Sequence, residues 1–355
     1  MTIIFKRLWL VFAFAIIFFA IVLSLFRSLT PLIGKYRPEL EQRLSQMLGE
    51  KVQIGGMQTG WYWFEPVLRL KNIEVTDAHQ QKISLGQLFI GLDLPTSLWN
   101  WRWQPGILAI DDLHVSIKQT TNGWQMQGLS ESSQGIEIKN SGHAKWLMRW
   151  VLNQQQTRLR HAQIRLYLLD GSVLPFDDVN LLLQNHDERY TIKADAQMDQ
   201  TTPTLVKLQG VLSIKDAHWR NAEGQLHLDV KDLLPGQWQS LFAPTHLSVV
   251  SGSADGQFWL QIKEGLLEEG QAGLAVKNLI VANPDKDAQT FLQSFAANLF
   301  WKQDKDSLRL SAEKTHMRMN SIQWPENHLS LFYNKALRST ELHMHYFNVA
   351  AYNSV

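Results

Sequence analysis

From Val52 to the end of the chain apolar residues recur at every second position, and this alternation is the strongest constraint on what the chain can fold into. Leu88, Ile90, Leu92 and Leu94 alternate with Phe89, Gly91 and Asp93; Leu113, Val115 and Ile117 alternate with His114 and Ser116. The period continues through Ile164, Leu166 and Leu168, then Val206, Leu208, Leu212 and Ile214, then Leu226, Leu228 and Val230. It runs on through Phe258, Leu260 and Ile262, Leu274 and Val276, Leu308 and Leu310, Leu329 and Leu331, and Leu342, Met344 and Tyr346. A period of two places one set of side chains on one face of an extended chain, so these are half-buried strands. Turn residues in 119–123, 199–203, 215–224 and 283–289 predict hairpins and meanders between them.

Helical signals are few. Residues 38–49 carry Leu40, Leu44, Met47 and Leu48 on one helical face, with Pro38 to start the helix and Gly49 to end it. Such a helix lies on a bilayer or docks on the following domain, and docking is the commoner outcome. Residues 144–156 read as a second helix through Leu147, Trp150, Val151 and Gln154; 234–242 and 287–297 are weaker candidates, the last through Phe291, Leu292 and Phe295. A few short helices cannot cover the apolar face of about a dozen strands. Three solutions remain: a second sheet, as in a sandwich or barrel, which periodicity alone favours; a partner protein; or an open trough whose wall is covered by lipid chains.

The N-terminus points to a membrane. Residues 8–26 are apolar except for Ser24 and follow Lys6 and Arg7. About 19 residues at ~1.5 Å each cross a bilayer core, whereas a cleavable signal has a shorter apolar region and a small-x-small site. Leu8, Trp9, Phe12, Ile16, Phe19, Leu23 and Phe26 are therefore expected to form a retained anchor, with the N-terminus cytoplasmic and the bulk of the chain on the far side. The absence of cysteine from 355 residues fits that side. The expected organisation is a tip and span over 1–30, a juxtamembrane helix over 31–50 and a mainly β domain over 51–355.

Lys+Arg 34 against Asp+Glu 33 leaves a formal net charge of +1, which removes nucleic acid as a leading partner. Hydrophobic residues make up 45% and charged ones 19%, more apolar than one span accounts for. Fourteen tryptophans cluster in part, at Trp61 and Trp63, at Trp99, Trp101 and Trp103, and at Trp146 and Trp150. Each is more often a core anchor than the rim of a greasy groove.

No enzyme motif is present: no G-x-G-x-x-G, Walker A, G-x-S-x-G or H-E-x-x-H. Residues 252–256, Gly-Ser-Ala-Asp-Gly, read as a hairpin turn, and Glu264 to Gly270 as another. His343 and His345 share a strand face, but no third His lies near in sequence. Asp111-Asp112 and Asp177-Asp178 read as turn or strand-start residues. No catalytic residue, metal site or cofactor is expected.

The segments Gly49-Glu50-Lys51-Val52-Gln53-Ile54, Trp61-Tyr62-Trp63-Phe64-Glu65-Pro66 leading into Leu68-Arg69-Leu70-Lys71-Asn72-Ile73, and Ile110-Asp111-Asp112-Leu113 resemble the AsmA-like proteins. Trp146-Leu147, the run Leu159 to Leu166 and Ile322-Gln323-Trp324-Pro325 extend the similarity over essentially the whole chain. The resemblance implies an inner-membrane anchor carrying a periplasmic β-trough, a role in phospholipid transport to the outer membrane and in its permeability barrier, and a partial chain, because such proteins can be several times longer. A dozen strands stacked along one axis span only about 55–60 Å.

The expected fold is a long curved antiparallel sheet with an open apolar groove, and the expected function is a tethered lipid carrier. Leu88, Ile90, Leu92, Leu113, Val115, Ile164, Leu166, Leu226 and Leu228 are the candidate wall residues, their facing inferred from alternation. Phospholipids and the inner membrane are the expected partners. The alternative is an envelope assembly factor that holds a periplasmic or outer-membrane protein on its apolar face; an enzyme of unrecognised class ranks below both.

Overall fold

The computed structural model describes Ile17, Ile21, Ser24 and residues 34–346, except 63–64, 78–79, 95–96, 98–100, 102–104, 122, 128–148, 199–203, 242–247, 284–287, 305 and 335–337. All seven predicted anchor residues lie outside the described residues, as do Trp63, Trp99, Trp103, Trp146 and the turn at 199–203. Among the described residues no helix is long and apolar enough to cross a membrane.

One sheet holds seventeen strands: β1 (Lys51–Tyr62), β2 (Glu65–Thr76), β3 (Lys82–Leu92), β4 (Pro105–Thr120), β5 (Gly123–Met126), β6 (Gln156–Tyr167), β7 (Val173–His186), β8 (Arg189–Met198), β9 (Thr204–Ile214), β10 (Ala222–Leu233), β11 (Ser248–Lys263), β12 (Leu266–Asn283), β13 (Ala288–Gln303), β14 (Ser307–Met319), β15 (Ile322–Gln323), β16 (Asn327–Asn334) and β17 (Ser339–Met344). Hydrogen-bonded neighbours follow chain order from β1 through β4, then β6 through β14, then β16 and β17. Two short strands, β5 beside the end of β4 and β15 beside the end of β14, extend this meander. The pairs are antiparallel except β4 with β6, a parallel pair that breaks the expected uniform pattern; the chain between them has to travel back along the sheet.

Among the described residues β1 pairs only with β2 and β17 only with β16, so the sheet is open and curved, neither a barrel nor a sandwich. The surface area says the same. A compact monomer of 40.9 kDa exposes roughly 14,700 Å², whereas this chain exposes 23993 Å². A single layer cannot hide its second face.

Six strands contain a non-glycine residue in the left-handed region: Asn72 in β2 and Asp112 in β4, where one pair of an unshifted register is skipped, and His161 in β6, Asp232 in β10, Asn278 in β12 and Lys314 in β14, where the register to a neighbour shifts. A left-handed residue shifts the alternation by one, so the apolar set passes from one parity to the other while staying on one face. In β2 it runs Leu68, Leu70, then Ile73, Val75; in β4 it runs Leu108, Ile110, then Leu113, Val115. Asp111-Asp112 and Asp177-Asp178 thus sit at irregularities inside β4 and β7, which corrects the reading of them as turn or strand-start residues. Gly86 faces Asp112 across the β3–β4 pair, where a Cβ would come within 2.8 Å of the Asp112 Cβ.

Helix α1 (Arg37–Leu48) forms as its pattern predicts, with Gly49 in the left-handed region at its C-terminus. It docks on the sheet. Leu40 and Leu44 sit on Val52, Ile54, Ile73 and Val75, while Met47 and Leu48 are exposed. Its polar side chains also occupy the free edge of β1: Ser45 Oγ accepts from the Val52 N–H (2.9 Å), Glu41 Oε1 from the Ile54 N–H (2.7 Å), and Arg37 Nη1 donates to the Gly55 carbonyl (3.3 Å). These bonds satisfy groups that another strand could otherwise capture.

Residues 149–152 are helical, and the helix stops before the predicted end at 156 because β6 already begins at Gln156, while residues 144–148 lie outside the described residues; a 3-10 segment covers Pro235–Leu241. The predicted helix over 287–297 is instead strand β13: Leu292 and Phe295 share a face once the irregularity between Leu292 and Ser294 is included, and Phe291, next to Leu292, takes the other face. Residues 252–256 lie inside β11 rather than in a turn, because Gly252 (φ +133°) marks a close approach in which a Cβ would lie 2.8 Å from the Leu279 Cα.

Candidate functional site

The registers assemble the apolar set into rows running across the strands. The longest is Met57, Leu70, Leu88, Ile110, Leu159, Leu181, Ala194, Leu208, Leu228, Phe258, Ala272, Leu299, Ala312, Leu329 and Met344, each the pairing partner of the next. Fourteen strand spacings of ~4.8 Å make this row about 67 Å long. Two residues along each strand lies a second row: Leu68, Ile90, Leu108, Thr157, Leu183, Ile192, Gly210, Leu226, Leu260, Gly270, Trp301, Leu310, Leu331 and Leu342. On the other side a shorter row of mostly small residues runs Ala162, Val179, Ala196, Val206, Val230, Gly256, Leu274 and Ala297. The three rows make a strip about 13 Å wide between its outer lines. Only Thr157 is polar, and its Oγ1 donates to the Val151 carbonyl.

Most of this strip is half-buried rather than buried. Among the described residues three clusters are closed, and Leu108, Ala162, Ala272 and Ala297 are buried singly along the rows. The first is the α1 end already described. The second joins Leu152 to Tyr190, Leu212, Ile214 and Ala222; the Tyr190 hydroxyl and Asn185 Nδ2 both donate to the Leu152 carbonyl (3.1 Å each). Burial, and then the charge of Glu188, holds the Tyr190 phenol above its ordinary pKa. The third sets Trp238, from Pro235–Leu241, against Phe176 (ring centroids 6.3 Å apart, edge to face) above Leu168, Leu174 and Met198. Trp238 sits between β10 and β11 in the chain yet reaches back to β7, so this segment straps one rim of the strip, and the Leu152 segment closes β8 to β10.

The nine predicted wall residues divide accordingly. Leu88 and Leu228 lie on the long row and Ile90 and Leu226 on the second. Leu92 is half-buried at the end of β3. Leu113, Val115 and Ile164 lie beyond the irregularities and belong to the cluster under α1, and Leu166 lies against the Trp238 cluster. Alternation in sequence could not separate these groups, because the left-handed residues reset its phase. Phe258, Leu181 and Leu299 were missed as wall residues; the registers alone put them in line with Leu228.

The opposite face carries the ion pairs. Asp111 receives Arg160 through two bonds (2.8 and 2.6 Å), which hold the guanidinium above its ordinary pKa, and Arg165 meets Asp177 (2.8 Å). His161 meets Asp178 (3.2 Å). These tie β4 to β6 and β6 to β7. His343 lies 3.9 Å from Glu341, and the His345 ring lies beside His328 (5.3 Å). Among the described residues no three metal-ligating side chains converge. What the arrangement offers chemically is a long hydrocarbon-compatible strip with charge on the reverse side.

No curated protein and no solved structure matches the chain. A family model described as YhdP protein matches residues 1–354, and the chain therefore belongs to the YhdP family of AsmA-like proteins.

Proposed function

We propose that this protein is a membrane-tethered lipid carrier whose half-buried strip holds phospholipid acyl chains while the headgroups stay in water. The observation that carries this reading is the uninterrupted apolar row across fifteen strands, which among the described residues is covered by a helix only at its α1 end. Sliding along such a strip breaks no hydrogen bond, and each covered methylene contributes up to ~0.8 kcal/mol, so transfer needs neither a cofactor nor covalent chemistry. Family membership supports an envelope setting. In this reading residues 8–26 anchor the chain in the inner membrane, the sheet lies in the periplasm, and lipid moves toward the outer membrane.

The test is a photoreactive residue at Leu228 in the full chain, irradiated in cells and analysed by mass spectrometry. Crosslinked phospholipid is the expected product. A crosslink to protein alone, from a folded chain, overturns the proposal and makes the strip a docking surface for an envelope protein.

A further inference from the structure

An open cavity of about 900 Å³ over β8 to β14 is lined mainly from the face opposite the lipid strip, with Leu226, Leu260 and Trp301 of the strip's second row also on its boundary. Its floor is a second set of registered rows. Along one, Gln209, His227, Trp259, Gln271 and Phe300 are successive pairing partners from β9 to β13. Along its neighbour Gln225 pairs with Gln261. Trp259 is 42% exposed and Phe300 37%, large apolar rings set among mostly polar side chains. His227 lies against Trp259 (5.1 Å) and supports its ring.

From this cavity we infer a binding site for a linear glycan of extended, β-linked pyranoses bearing hydroxyl and acetamido groups. Three observations select that class. Trp259 and Phe300 are two strands apart, about 9.6 Å, close to the distance over which an extended β-1,4-linked chain repeats its disaccharide and turns the same C–H face to a surface. Four glutamine amides, of Gln209, Gln225, Gln261 and Gln271, surround the rings without a side-chain partner among the described residues, and each supplies both donors and an acceptor, as hydroxyl and acetamido groups require. Three cations line the cavity, but Lys302 is tied to Glu269 (3.2 Å) and Arg309 lies over the Phe332 ring (5.7 Å), which leaves Lys193, too little positive charge for a phosphate backbone. The site lies in the middle of the sheet, where no free edge invites an added strand.

The experiment is isothermal titration of the full chain, in a detergent without a sugar headgroup, with tetra-N-acetylchitotetraose as the probe and maltotetraose as the linkage control. Binding of the β-linked probe is expected, about tenfold weaker in Trp259→Ala and partly restored in Trp259→Phe. Phospholipid recovered with Trp259→Ala stays at the unmutated level, because the ring is on the other face, so this inference stands or falls separately from the lipid reading. No binding to the unmutated chain, equal binding of maltotetraose, or unchanged affinity in both Trp259→Ala and Phe300→Ala overturns it.

Discussion

Replacing Leu228 with glutamate separates an open apolar wall from a closed core. Leu228 is half-buried between its register partners Leu208 and Phe258. A fully buried leucine contributes about 1.5–3 kcal/mol, so a half-covered one contributes about 1 kcal/mol, and the carboxylate can still reach water from an open face. Leu228→Glu is therefore expected to fold, with stability lowered by about 1 kcal/mol. With an acyl chain on the strip the balance changes. Losing contact over about two methylenes forfeits ~1–2 kcal/mol, and holding a carboxylate against hydrocarbon adds at least ~1 kcal/mol. Lipid occupancy then falls by about thirtyfold or more. Leu174 is the control, because it is only 1% exposed beneath Trp238, and Leu174→Glu is expected to prevent folding. The assay pairs chemical denaturation with lipid mass spectrometry of the purified chain. A Leu228→Glu protein as unstable as Leu174→Glu means that protein covers the strip. A stable one with its full complement of lipid means that the row does not hold acyl chains. Either result refutes the reasoning.

Three further predictions test the frame. Tyr190→Phe removes a buried hydroxyl bond and is expected to cost about 0.5–1.5 kcal/mol near neutral pH. Because the folded phenol is held above its ordinary value of 10.0, its contribution is fully present below that pH and is lost as pH rises through the folded pKa; Tyr190→Phe should flatten the alkaline fall in stability, measured by denaturation at stepped pH. Asp112→Val is expected to cost about 1–2 kcal/mol more than Asp112→Gly, since a β-branched residue resists the left-handed conformation that glycine adopts freely; equal melting of the two variants contradicts the phase-reset argument. Glu41→Ala combined with Ser45→Ala frees two N–H groups on the β1 edge and is expected to produce concentration-dependent association in sedimentation, which unmutated α1 suppresses.

Strand positions, α1 with its Gly49 stop, and the excess of apolar faces over covering helices were legible in the residues alone, because a two-residue or 3.6-residue period is a local property of the chain. The weak helical pattern at 287–297 misled for the same reason: Phe291, Leu292 and Phe295 lie on one helical side, and pairing with β12 and β14, with a register shift after Leu292, decided for a strand. Local alternation also determined that Leu226 and Leu228 share a face, and the sequence resemblance over essentially the whole chain agrees with a family match over residues 1–354. What the sequence could not decide is which strands' apolar residues fall in line. That depends on registers between segments far apart in the chain and on six left-handed residues, each of which resets the phase of its strand. Only the tertiary structure placed Leu88, Leu228 and Leu299 on one row, removed Val115 and Leu166 into closed clusters, and set Trp259 and Phe300 two strands apart on the reverse face. Hydrogen bonding between strands, rather than the residues' own preferences, fixes those distances.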